Sequence, residues 1–281
     1  MAKNFVILYH AREGSTAIVD ALSRHPDISI PISEELDLYW IKEFYNNIDF
    51  NLENTMDTVF AENQFYLGDD WGFKNFISDN KRGQNVASIG FKWRPHGKIK
   101  PIADVFLKHN VLVFLLSRRD ILELTASLAI SRYAKNDEPG SGHSQFKFAQ
   151  FSDRERKEYR EALEQRSFPV PRRTLYDIMA RRCIHAARLK RIARRFAAHG
   201  VPVRSLFYED FRDNPEQFFV SLFETIGVQK VRAESLMAGQ IMKKVSWVPA
   251  TKRIEAFEQK TDTPLCRLMT AVYSRALKGF P

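Results

Sequence analysis

An α/β fold, a central parallel sheet with helices on both faces, is what this sequence of 281 residues predicts. Three observations point there. Short apolar, β-branched runs carry no polar alternation, as strands buried on both faces do. Segments of helical period follow them, and Gly, Pro or hydroxyl residues separate the two.

The first run, Asn4 to His10 (NFVILYH), reads as a strand. Ala11-Arg-Glu-Gly14 supplies a tight turn, and Ser15 and Thr16 are placed to cap a helix through Ile18, Val19 and Leu22 that stops at His25-Pro26. Ala87 to Trp93 reads as a strand, Lys98 to His109 as a helix, and Asn110 to Ser117 (NVLVFLLS) as the clearest buried strand of all. Asp120 to Tyr133 has helical period through Leu122, Leu124, Leu128 and Ile130. Val201 to Tyr208 reads as a further strand. Asn214 to Ile226 reads as a helix with Gly227 placed for a left-handed cap.

Lys135 to Pro171 interrupts this alternation and reads as an insertion, with a short charged helix that Ser152 and Glu155 start as a capping box. A long amphipathic helix follows over Arg172 to Ala198, its apolar face carrying Leu175, Ile178, Met179, Ala186, Leu189, Ile192 and Phe196. The expectation is a single domain over residues 1–281, with the insertion at about 135–171 and a C-terminal cap region at about 228–281. No internal repeat or low-complexity tract occurs.

Charged residues make up 27% of the chain and hydrophobic ones 44%, which excludes a disordered composition. Lys and Arg exceed Asp and Glu by nine, so an anionic ligand is expected: a nucleotide, a sulfated or phosphorylated metabolite, nucleic acid or lipid. The two cysteines, Cys183 and Cys266, have no metal-ligand or disulfide-framework spacing. The apolar run Phe5 to Tyr9 is too short for a signal sequence or a membrane span, so a cytoplasmic protein is expected.

A loop between a buried strand and a helix N-terminus suits an anion, because unpaired N–H groups and the positive helix end face it. Here the loop reads Arg12-Glu13-Gly14-Ser15-Thr16. Gly14 admits a close approach, Arg12 adds a cation, and Ser15 and Thr16 add hydroxyls. It is neither GxxxxGK[ST] nor GxGxxG. These residues resemble the phosphosulfate loop, [KR]-x-G-[ST]-[ST], of the sulfotransferases that use 3'-phosphoadenosine-5'-phosphosulfate (PAPS), and especially bacterial ones similar to the trehalose and carbohydrate enzymes. Glu13, counted with the loop's cofactor-binding residues, departs from that family's small residue, and a carboxylate beside phosphates repels them unless it points away.

PAPS carries a 3'-phosphate and needs a second cationic site. After the strand ending at Ser117 come Arg118-Arg119-Asp120, and Ser127 follows Arg119 by eight residues. In type and spacing Arg119 and Ser127 resemble the family's 3'-phosphate pair. Gly90-Phe91-Lys92 is similar to its G-x-K segment, and Tyr208-Glu-Asp-Phe211 with Asn214-Pro-Glu216 to a structural segment. Lys243-Lys-Val-Ser-Trp247 and Lys252-Arg253 loosely resemble its basic nucleotide-closing loop, which would place Lys244 and Trp247 on the nucleotide.

The resemblance implies a three-layer P-loop NTPase-like fold. It also implies transfer of a sulfuryl group from PAPS to a hydroxyl or amine of a small-molecule, lipid or glycan acceptor, giving 3'-phosphoadenosine-5'-phosphate (PAP). Arg12, with Lys92 as a second cation, would stabilise the leaving 5'-phosphate; Glu35 or Glu34 would be the general base, with His10 and His96 as alternatives. No metal, nucleic acid or membrane span is expected, and a homodimer is a family-level expectation. A nucleotide-dependent kinase lacks the Walker lysine and a Mg²⁺ carboxylate here. A basic nucleic-acid binder would show no response to PAP.

Overall fold

The computed structural model describes residues 2–10, 13–32, 52–63, 81, 83–95, 98–134, 152–238 and 249–278. They divide between two compact units, one of residues 1–117, 189–241 and 280–281, the other of residues 118–188 and 242–279.

Five strands are found among the described residues: β1 (Asn4–Leu8), β2 (Ile28–Ile32), β3 (Ser88–Trp93), β4 (Val111–Ser117) and β5 (Val203–Phe207). They form one sheet in the order β2-β3-β1-β4-β5, and every pairing is parallel. This is the predicted α/β class, a central parallel sheet flanked by helices. Its register sets Phe5 beside both Gly90 and Leu112, so β1 lies between β3 and β4 at the centre.

The unbroken apolar runs are explained by the two faces. Val6, Leu8, Val113 and Leu115 pack on one side with helices α2 (Leu52–Glu62), α3 (Ile99–Lys108) and the C-terminal end of α6 (Arg172–Ala198). Phe5, Ile7, Tyr9, Leu112, Phe114 and Leu116 pack on the other with α1 (Ser15–Leu22), α7 (Tyr208–Asp213), α8 (Pro215–Ile226) and α9 (Ala233–Met237). Both sets are buried, so neither alternate position tolerates a polar residue, and each fully buried aliphatic chain contributes about 1.5–3 kcal/mol.

In the second unit α4 (Ile121–Tyr133), α5 (Asp153–Gln165) and the first half of α6 share a core through Leu124, Leu128, Leu163, Phe168, Leu175 and Ile178. A 3₁₀ turn (Ala250–Arg253) and helices α10 (Phe257–Thr261) and α11 (Pro264–Leu277) complete the unit. The Ser152–Glu155 capping box forms as read. So does the Gly227 left-handed cap, at φ 85°.

Three boundaries differ from the sequence reading. β2 was not anticipated: Pro31 breaks a strand pattern, and it is tolerated because β2 lies at the sheet edge. Tyr208 opens a helix rather than ending β5. α1 starts from Gly14 in the left-handed region without a side-chain cap, so Ser15 and Thr16 are helical residues, not caps.

Candidate functional site

Between β1 and α1, Gly14 is the residue from which the helix starts. Gly14 holds φ 85°, which an L side chain adopts only at a cost of about 1–2 kcal/mol. A Cβ there would also strike the Tyr208 ring, which roofs the glycine. The carbonyl of Gly14 accepts from Ala17 N (3.1 Å) and Ile18 N (3.3 Å), starting the helix. Backbone thus takes the place of the side-chain cap expected of Ser15 and Thr16.

Glu13 is buried, and its Oε2 accepts from the His10 backbone N–H at 2.8 Å. The carboxylate is turned back onto the chain.

Thr16 has another role. Its Oγ1 accepts from Lys92 Nζ at 2.8 Å, and Lys92 is 1% exposed. The alternation of β3 explains the position: Ile89, Phe91 and Trp93 fill the core on the α3 side, which sends Gly90 and Lys92 to the α1 side. Gly90 has no side chain because the Phe5 ring occupies that space. A buried ammonium is expensive unless charge or hydrogen bonds compensate it. Lys92 Nζ also lies 5.6 Å from the centre of the Tyr9 ring.

Arg94, two residues along from Lys92, places its Cζ 5.9 Å from the centre of the same ring. The Tyr9 ring thus lies close to two cations, of which Lys92 reaches the first turn of α1. Arg94 and Tyr9 were missed by the sequence reading. The available signal was the period-two spacing of Gly90, Lys92 and Arg94, which puts all three on one side of a strand.

Arg119 and Ser127 belong to the second unit. Arg119 is exposed in the connection between β4 and α4, and Ser127 is half-buried on α4. The helix start is locally satisfied, since Asp120 Oδ1 accepts from Glu123 N at 2.9 Å. Tyr273 of α11 fixes the same turn, donating from its hydroxyl to the Arg118 carbonyl at 2.8 Å. Glu123 accepts from the N–H groups of Ala250 (2.9 Å) and Thr251 (3.3 Å), tying the 3₁₀ turn to α4. This holds Arg253 near Glu123, with its Nε and Nη1 buried and making no hydrogen bond. Burial pulls the guanidinium pKa down against the opposing pull of Glu123, Glu164 and Tyr159. A buried guanidinium with two uncommitted donors suits an anionic oxygen. Arg12, Glu34, Glu35, His96, Lys244 and Trp247 lie outside the described residues.

No protein-family model matches the chain, and no curated protein matches it in sequence. Among solved structures it is similar to a sulfotransferase from Alicyclobacillus acidocaldarius, with 19% identity over 99% of this chain and 93% of that one, at a TM-score of 0.44. It is also similar to a sulfotransferase domain from the curacin biosynthetic pathway, with 15% identity over 100% of this chain and 99% of that one, at a TM-score of 0.46. The likeness is one of fold. Roles for individual residues rest on the chemistry above.

What that chemistry supplies is a glycine turn with a helix N-terminus, an ammonium anchored at that helix, and a second cation beside it. Such a set can stabilise negative charge on an oxygen.

Proposed function

We propose that this protein is a sulfotransferase that moves a sulfuryl group from PAPS to a hydroxyl or amine of a small-molecule, lipid or glycan acceptor and releases PAP. The observation that carries the reading is the buried Lys92 ammonium on Thr16, in the first turn of a helix that starts from the left-handed Gly14. A cation buried against a helix start is matched by an anionic oxygen arriving there.

In this reading the loop at 12–16 binds the 5'-phosphosulfate through backbone N–H groups, Arg12 and the Ser15 and Thr16 hydroxyls. The acceptor oxygen attacks sulfur and gives its proton to a base, for which Glu35, Glu34, His10 and His96 are the candidates. The bond from sulfur to the bridging phosphate oxygen breaks, and Lys92 neutralises the charge that develops on that oxygen. Arg119 and Ser127 hold the 3'-phosphate, with Arg253, Lys244 and Trp247 as further nucleotide contacts.

A thermal-shift comparison of PAP, AMP and ATP tests this directly. PAP at a hundredfold excess over its dissociation constant adds about 2.7 kcal/mol of stability, whereas AMP, lacking the 3'-phosphate, gives a much smaller shift. An AMP shift equal to that of PAP, or no shift with PAP, rejects the proposal.

A further inference from the structure

We propose that Tyr208 is a positioning residue for the donor: its ring holds the Gly14 turn in the conformation that receives the 5'-phosphosulfate. The inference rests on the sulfotransferase reading above and adds to it a residue from a distant part of the chain. Both residues belong to the first unit.

A glycine populates both signs of φ about equally, so a glycine turn by itself is loose. At Gly14 another element curtails that freedom. The space that a Cβ would fill there is taken by Cδ2 and Cε2 of Tyr208. The glycine thus serves two ends, since it adopts φ 85° and also makes room for the ring. With the ring seated, the Gly14 backbone can change only if the ring moves aside.

The ring is firmly mounted. Tyr208 is the first residue of α7 and directly follows Phe207, which pairs with Ser117 at the end of β5. Its ring centre lies 6.0 Å from that of Phe211, and Phe211 makes edge contacts with Phe218 at 5.5 Å and Phe219 at 5.8 Å. All three phenylalanines are buried. In the sheet β4 separates β5 from β1, so the contact joins two strand-to-helix connections that are not neighbours.

What holds Gly14 also holds the groups behind it. The Gly14 carbonyl accepts from Ala17 N and Ile18 N to start α1, and Thr16 in that first turn accepts from Lys92 Nζ. A shift at Gly14 therefore passes to Thr16, and through its hydroxyl to the Lys92 ammonium.

Amide hydrogen exchange read by mass spectrometry, with calorimetric titration of PAP, tests this on the parent, Tyr208→Phe and Tyr208→Ala. The phenylalanine variant keeps the ring, so its exchange at residues 15–18 and its PAP dissociation constant should stay within about twofold of the parent. In Tyr208→Ala the amides of 15–18 should exchange at least about tenfold faster while those of 111–117 stay as protected as before. PAP should bind that variant about tenfold more weakly, the size expected when one residue's backbone must be ordered on binding. A purely structural Tyr208 would lower the melting temperature and leave PAP affinity alone, which would overturn the proposal. Unchanged exchange at 15–18 in Tyr208→Ala would also overturn it, as would Tyr208→Phe behaving like Tyr208→Ala. Should the alanine variant fail to fold, Tyr208→Leu, with apolar bulk but no ring, carries the same expectations. A parent that does not respond to PAP rejects the sulfotransferase reading and the donor role with it, while the exchange comparison still decides whether the ring holds the turn.

Discussion

At the β1–α1 connection the helix begins from Gly14 without a side-chain cap, whereas at the β4–α4 connection Asp120 accepts from Glu123 N at 2.9 Å. At the first turn the Ala17 and Ile18 N–H groups meet the Gly14 carbonyl, and a cation, Lys92, reaches the Thr16 hydroxyl from a neighbouring strand. The second caps its own helix start with a carboxylate, and the anion contacts proposed there come from side chains, Arg119, Ser127 and Arg253. A strand-to-helix turn can therefore start its helix from backbone alone or with a side-chain cap. Which it does is decided by whether the cap position carries an acceptor of its own.

The largest expected effect separates the two turns by chemistry. Lys92→Met should lower kcat for sulfuryl transfer about 10²–10³-fold, the loss typical of removing one group that meets developing charge. Single-turnover rates check it, and a loss confined to PAP affinity would make Lys92 a binding residue like those of the second turn. Gly14→Ala should destabilise the protein by about 2 kcal/mol or more, from its positive φ and the collision with Tyr208, measured by urea unfolding. Adding Tyr208→Ala should recover the steric part and leave the backbone part.

Arg119→Ala should weaken PAP binding about 10–100-fold while leaving AMP binding unchanged, as calorimetry would report. An equal loss for both nucleotides would remove Arg119 from the 3'-phosphate. Asp120→Ala should cost about 0.5–2 kcal/mol of stability, the value of a side-chain cap, without altering chemistry at the first turn.

The smallest effect tests the far end of α1. His25 is fully buried, its Nε2 meets the Gln229 carbonyl at 2.8 Å, and its Nδ1 accepts from Asp27 N at 3.1 Å. That pattern requires the neutral ring, and burial lowers its pKa below the ordinary 6.5. As pH falls through 6.5 the unfolded chain takes up the proton first, so stability holds above that value and declines below it. Melting temperature against pH should show the decline, and His25→Gln should flatten it.

Some of this was readable because the physics is local. β1 and β4 declare themselves since a strand covered on both faces admits no polar alternation. The Ser152 capping box and the Gly227 cap are set by residues within one turn of each other. Gly14 was readable as a turn residue for the same reason.

Other features depend on partners far along the chain. Thr16 looks like a helix cap until Lys92, 76 residues away, is found on its hydroxyl. Tyr208 reads as the end of a strand until it is seen roofing Gly14. Glu13 looks hostile to an anion until its oxygen is found on the His10 N–H.

The sequence by itself determined the α/β class, the central strands and the glycine turn between the first strand and helix, because backbone sterics and burial periodicity act within a few residues. Only the tertiary structure decided which cations meet that turn. Lys92, Arg94 and Tyr9 are brought together by strand order and side-chain alternation across β1 and β3, and no local pattern specifies which strands become neighbours.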